Sequence, residues 1–321
     1  MKSTFAEKIL RNVPPHIKPI DYLMDNLDLG RESAYRRMRG EIPFTLDEIS
    51  ILSHKLDFSI DEMLNENKRN NLIFDMLIED KTPVKNFINN LQRYSNVFAH
   101  LKKDDASKII TSQNRISVSF FILNELMLKF FYYRYLYSTN NLPAGQTLTD
   151  LIIPPELADF RDEFIARTSN IAENTVMLNR NYFLSICREI QYYYNHNLLT
   201  IDETNVMKTA LFNLIKDMQD TIIIGYDNRG IKHNYYLSLL DIGANTVNIS
   251  YRENIVSMFF IYSSNFILTR NSELCKQHKN WLEIMKKHSV LISQSNELFQ
   301  MKFFEQQRQF INTITDSLVY F

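Results

Sequence analysis

Four arginines, at 31, 36, 37 and 39, share nine residues with a single acid, Glu32, for a local charge of +3. A guanidinium pairs through two hydrogen bonds with guanine O6 and N7, and a carboxylate accepts from cytosine N4. Arginine also suits phosphate oxygens, which fix register without reading sequence. If the segment is helical, Ala34 and Met38, one turn apart, face inward. Arg31, Glu32, Tyr35 and Arg36 are then expected at base edges, and Arg37 and Arg39 at phosphates. The partner implied is double-stranded DNA. A solvated charged helix around a small core is the plainer alternative.

Elsewhere the chemistry-bearing residues are sparse. Histidines 16, 54, 100, 196, 233, 278 and 288 form neither HExxH nor an i,i+4 pair, so no metal is expected. Cys187 and Cys275 are 88 positions apart with no CxxC, and are expected as reduced thiols. The six glycines form no GxGxxG and no GxxxxGK[ST], so no nucleotide cofactor is expected. No GxSxG or Cys/His nucleophile is present, and no catalytic residue is assigned. Asp227-Asn228-Arg229-Gly230 reads as a hairpin turn. The aromatic run from Phe130 to Tyr137 and the triple Tyr192 to Tyr194 read as helix core before base-stacking platforms. Trp281, the sole tryptophan, is expected to be buried. Polar groups interrupting apolar strands (Arg115, His233, Tyr235 and Arg252) are the weak candidates for anchoring a small-molecule effector.

Composition bounds the classes. The 321 residues are 45% hydrophobic and 12% aromatic, enough for a large core, which excludes a mainly disordered chain. Lys+Arg 36 against Asp+Glu 37 leaves −1, so any nucleic-acid contact must come from a local patch. Residues 1–69 carry eleven basic and twelve acidic residues, less basic than is usual for a DNA domain. The N-terminal segment has no apolar h-region. The stretch Ile116 to Leu128, broken by Asn124 and Glu125, is short of the ~20 residues a bilayer span needs. A cytoplasmic protein without a membrane partner is expected.

These residues need elements to position them. Ile20, Leu23, Met24 and Leu27 fall at helical spacing, and Gly30 can cap the helix Arg31 to Arg39, which Gly40 ends. Thr45 with Glu48 makes a capping box, with Leu46, Ile49, Leu52 and Leu56 as the buried stripe; Ser59 with Glu62 makes a second, opening a helix with Ile60, Met63 and Leu64 inward. Residues 66–71 read as a polar linker, and 72–220 as mainly helical. That region holds a strand candidate at Lys108 to Arg115 and helices from Pro83 to about Leu101, Ser119 to Tyr137, from Pro154-Pro155, Asn174 to Asn195, and Thr200 to about Gln219. Residues 221–321 read as α+β: a short β-branched piece Thr221 to Tyr226, then strands at Tyr235 to Leu240, Thr246 to Tyr251, Ile255 to Tyr262 and Phe266 to Thr269. A helix Ser272 to Lys287, a short strand Ser289 to Ser293 and a last helix from about Leu298 to Leu318 follow. The fold class is thus a mainly α N-terminal half, a helix-turn-helix plus helical bundle, followed by an α+β C-terminal region.

Helix, tight turn, short Arg-rich helix, loop, helix, helix: over Pro19 to Leu64 this resembles the lambda-repressor-like (XRE/Cro) family. Three pieces carry the resemblance. Ser33 to Arg39 with Gly40 looks like the family's recognition helix. Ile42-Pro43-Phe44-Thr45-Leu46 leading to Glu48 is similar to its entry into the next helix, and Ser59 to Leu64 to its closing turn. The Thr/Ser-Gln-Glu start of the family's second helix is absent. The resemblance implies a transcriptional regulator whose residues 1–65 bind operator DNA. The tail faintly resembles the effector domains of some bacterial regulators built on a phospholipase-D-like fold, but the HxKxxxxD signature is missing, and no active site carries over.

The expected function is a DNA-binding regulator, a homodimer formed by residues after 71, with an unknown effector or protein partner. The rivals are a protein-interaction module with a degenerate helix-turn-helix and an enzyme with an unrecognised catalytic tail. Salt-dependent DNA binding separates them.

Overall fold

The computed structural model describes residues 2–14, 17–56, 58, 60, 74, 76, 82–99, 101, 107–261 and 265–316. Two compact units divide the chain, residues 1–73 and 74–321.

The first unit is helical: α1 Lys2–Asn12, α2 Pro19–Leu27, α3 Arg31–Met38 and α4 Leu46–Lys55. Phe5, Ile9, Val13, Leu23, Ala34, Leu52, Leu56 and Phe58 form its core. Thr45 accepts from the Glu48 amide while Glu48 caps the Thr45 amide, so the first capping box is present. Leu46 departs from the expected stripe and is 75% exposed, because the first residue of α4 precedes the turn that meets the core. The second capping box, Ser59 with Glu62, the inward positions Met63 and Leu64, and the linker 66–71 lie outside the described residues.

The second unit is built on a seven-stranded sheet in the order β6-β5-β4-β1-β2-β3-β7. Its strands are β1 Lys108–Gln113, β2 Glu173–Leu178, β3 Lys232–Ser238, β4 Thr246–Tyr251, β5 Asn254–Ile261, β6 Asn265–Thr269 and β7 Ser289–Leu291. β1, β2 and β3 are parallel, and the other neighbours antiparallel. The helices are α5 Pro83–Asn96, α6 Val118–Leu123, α7 Glu125–Ser138, α8 Pro155–Thr168, α9 Leu184–Asn195, α10 Ile201–Ile224, α11 Ser272–Lys287 and α12 Glu297–Asn312. Side chains alternate across the strands. Ile109, Val176, Leu178, Tyr235, Leu237 and Val247 pack with α5 to α10 and α12, while Ile110, Met177 and Tyr236 pack with Leu282 and Met285 of α11. The chain therefore has a helical N-terminal part and an α+β C-terminal region, but its first half is not purely helical: β1 and β2 sit in the middle of the sheet.

Several expected elements are corrected. The helix from Ser119 to Tyr137 is two helices, since Asn124 is extended (φ −112°, ψ 123°) and its side chain caps the Met127 amide. Asn174 to Asn195 begins as strand β2 rather than helix: pairing on both edges and burial of Thr175 to Leu178 outweigh local preference. Thr221 to Ile224 is the end of α10, which runs on until Gly225 stops it in the left-handed conformation at φ 85°. A Cβ at Gly225 would meet the Gln294 side chain at 2.8 Å. The last helix ends at Asn312 and continues as a 3-10 turn. Trp281 is 42% exposed; Cys275, His278, Leu282 and Met285 form the buried side of α11 instead. Among the described residues no helix is long and apolar enough to cross a membrane.

Candidate functional site

The arginine-bearing helix α3 is framed at both ends. α2 stops at Asp28, which takes a left-handed conformation, and Gly30 (φ −69°, ψ 152°) caps α3. Three residues, Asp28, Leu29 and Gly30, join the two helices. At the far end Gly40 sits at φ 73°. Its amide donates to the Arg37 carbonyl, and the Glu41 amide to the Arg36 carbonyl, both at 2.9 Å. This paired closure is a Schellman motif.

The faces of α3 separate cleanly. Ala34 is buried and Met38 packs on the core, as the spacing predicts. Arg31, Glu32, Tyr35, Arg36 and Arg39 are exposed. Arg37 is the correction. Expected at a phosphate, it turns inward and grips Glu48 with Nε at 3.0 Å and Nη2 at 2.8 Å, each side chain 13% exposed. Burial pushes the Glu48 carboxyl up, but the hydrogen bonds from Arg37 and Thr45 prevail and hold it below the usual range. Arg37 thus ties α3 to α4 and is spent on that contact. The exposed pairs Arg36–Glu41 (3.4 Å), Arg39–Glu41 (3.4 Å) and Arg39–Glu32 (3.7 Å) are of the kind worth little in water.

In the second unit a cavity of about 680 Å³ lies between the α8–α10 side and the sheet face bearing Ile109, Val176 and Tyr235. One end holds a polar cluster. Asp227 Oδ1 accepts from the Arg229 and Ile231 amides at 3.0 and 2.9 Å, and Oδ2 from Arg229 Nε and Nη2 at 2.9 and 2.7 Å. Arg229 Nη1 donates to Thr168 Oγ1 at 2.8 Å. His233 Nε2 lies 3.3 Å from Asp227 Oδ2, and its ring stacks on Tyr235 at 5.6 Å. Burial pushes the Asp227 carboxyl up, yet His233, Arg229 and the Ile231 amide together hold it far below the carboxylate range. Burial raises the Tyr235 phenol. These bonds tie the carboxylate to the 229–231 backbone and to the Arg229 side chain.

Of the four weak anchors, His233 and Tyr235 line this cavity. Arg115 does not; it lines a separate pocket of about 260 Å³ with Arg134 and Glu189. Arg252 sits in the β4–β5 turn at φ 50° and lines neither. The four therefore do not make one site. Asn174, whose Oδ1 is buried without a hydrogen-bond partner beside the cluster, escapes the sequence reading because the segment 174–195 reads as helix. Arg229 and Asp227 escape it too, legible only as a turn.

The other sheet face carries a hydroxyl chain. His278 lies between Ser257 Oγ and Thr246 Oγ1, each at 2.9 Å, and Thr246 Oγ1 is 2.8 Å from Ser112 Oγ. Burial pushes the His278 ring down to about 4. The chain includes no carboxylate to orient a catalytic imidazole, and its evident effect is to fasten α11 to β4 and β5. Both cysteines are buried and outside any disulfide, and burial pushes Cys187 up to about 12.

Comparison with known proteins returns no match: no family model fits the chain, and no curated protein and no solved structure matches it.

Proposed function

We propose that the protein is a cytoplasmic DNA-binding transcriptional regulator of the lambda-repressor-like kind. Residues 1–65 form its helix-turn-helix domain. The observation that carries the reading is α3 itself: a short helix behind a three-residue turn, with Arg31, Glu32, Tyr35, Arg36 and Arg39 outward and Ala34 inward. Such a helix offers its first turns to base edges in the major groove. The neutral balance of residues 1–69 places the burden on these few side chains, so sequence-specific contacts outweigh general attraction to phosphate.

Residues 74–321 serve as the effector and dimerisation module. A homodimer reads two half-sites about one helical turn apart. The 680 Å³ cavity is the place where a small molecule biases one dimer geometry over another, as an effector must to shift an equilibrium.

The test is recovery of genomic fragments by the full chain, followed by affinity for the recovered duplex. Arg36→Ala should weaken binding by about 1–3 kcal/mol and relax one base preference. A full chain without affinity for any duplex at low salt refutes the reading. Light scattering at micromolar concentration should return twice 38.1 kDa; a monomer refutes the dimer.

A further inference from the structure

We infer that the 680 Å³ cavity takes a small molecule with an apolar body and a cationic amine head. This rests on the reading of that cavity as the effector site and names the class of the ligand. The volume falls within the roughly 300–1,000 Å³ of small-molecule sites. Two successive rows of the parallel strands line it, Thr111–Val176–Tyr235 and Ile109–Asn174–His233, each paired across β1, β2 and β3. The β3 end of these rows is polar, with Tyr235 and His233 both more than nine-tenths buried. Phe164, Leu214, Met218 and Phe260 supply apolar wall for the body. The His233 amide donates to the Gly225 carbonyl at 2.8 Å, so the end of α10 lies against that polar end.

The unmet groups there are mostly acceptors, and they give the head. Tyr235 is 4% exposed, and its hydroxyl has no hydrogen-bond partner among the described residues. A buried hydroxyl left so forfeits the bond it had in water. Asn174 Nδ2 lies 3.4 Å from His233 Nδ1, which leaves Asn174 Oδ1 buried and unpartnered. Asp217 and Asp220, in the last two turns of α10, line the cavity at exposed positions and join no ion pair among the described residues. The two arginines of the lining are directed elsewhere. Arg229 is folded on Asp227 and Thr168. Arg161 donates from Nη2 to the Leu123 carbonyl at 3.4 Å and brings Nη1 to 3.6 Å from Asp162; its Nε is the buried donor left over. An ammonium donates three hydrogen bonds and accepts none, which matches this surplus of acceptors. A carboxylate head would add negative charge beside Asp217 and Asp220. Exposed carboxylates are individually weak, so the walls supply most of the affinity and the aspartates decide the sign of the charge.

Three probes of one body and different charge test this: 4-phenylbutylamine, 4-phenylbutan-1-ol and 4-phenylbutyrate. Each is titrated calorimetrically into the full chain at pH 7.4 and constant ionic strength. The amine should bind at least tenfold tighter than the carboxylate, with the alcohol between. The double change Asp217→Asn, Asp220→Asn, at exposed positions, should bring amine and alcohol within threefold of each other and leave the alcohol unchanged. Tyr235→Phe should weaken amine and alcohol alike by threefold or more, with the melting midpoint from Trp281 fluorescence as the check on folding. No binding of any probe overturns the inference. So does equal binding of all three, a preference for the carboxylate, or an amine preference that survives the double change. Affinity for the duplex is measured separately, with and without the amine. An amine that binds as expected but leaves DNA affinity untouched overturns the effector reading and upholds the ligand class.

Discussion

In residues 1–73, Arg31, Arg36 and Arg39 stand in solvent over a core of eight apolar side chains. In residues 74–321 the equivalent chemistry is drawn inside: Arg134 packs on two aromatic rings, Arg229 is folded over Asp227, and His278 is wedged between strands. Side chains of the first kind can be exchanged at little structural cost, because water replaces every contact they lose. Those of the second kind are fixed by partners that cannot be resolvated, so each change is felt by the fold. A surface that must adapt to one sequence of partner atoms and an interior that must keep one shape therefore put different demands on the same residue types.

That contrast can be attacked at several points. The strongest effect should come from Phe131→Ala. Phe131 is fully buried, stacks on Phe121 at 4.9 Å and meets Phe87 at 5.2 Å. Its loss should cost about 3–5 kcal/mol in urea unfolding followed by Trp281 fluorescence. A cost below 1 kcal/mol would mean the interior is less tightly determined than its packing implies.

Next, Arg37→Ala should remove about 1.5–3 kcal/mol from residues 1–73 by stranding Glu48, whereas Arg39→Ala should stay within about 0.5 kcal/mol. Helix melting by circular dichroism separates them. Equal effects would erase the inside-outside division within α3.

His278 supplies a pH signature. Its folded value of about 4 lies below the ordinary 6.5, so the unfolded chain binds the extra proton first. Stability is full above pH 6.5 and falls as pH drops toward 4, by roughly 2 kcal/mol between pH 7.5 and 5. The lowered carboxylates, among them Asp227, act at lower pH and leave this window to the histidine. Unfolding curves of the parent and of His278→Gln at both pH values should differ in slope with pH. Identical slopes would show that the ring is not held neutral.

The smallest expected change is Thr45→Ala, about 1 kcal/mol from residues 1–73 through loss of the cap on α4. It is measured by chemical denaturation, with Trp281 fluorescence unchanged as the control.

What the sequence disclosed follows the same line between near and far partners. The capping box Thr45/Glu48 is complete within four residues, and it is present. The glycines bounding α3 act on their own backbone, and the strands from Thr246 to Thr269 alternate or sit beside tight turns, so their places were readable. β2 was not, because a central strand buried on both faces lacks alternation, and its register depends on β1, 65 residues earlier. Arg37 reads as a phosphate contact in the sequence because Glu48, its partner, is eleven residues away on another helix. Asp227 and Arg229 were visible as a turn, but their reach to Thr168 and His233 was not. For His278 the partners Ser257 and Thr246 lie 21 and 32 residues upstream on strands that only the folded sheet brings together.

The position of β1 has a consequence for synthesis. Residues 108–112 pair on one side with β2 and on the other with β4, residues 246–250. The middle of the sheet thus waits for a strand made about 140 residues later, which at 5–20 residues per second is roughly 7–30 s on the ribosome. The core of the first unit needs nothing beyond Phe58 among the described residues. During that interval the nascent chain carries a finished helical head and an open strand with unpaired amides. Slowing translation between residues 113 and 246 should lengthen the exposure of β1 and increase chaperone dependence, while the head folds on schedule.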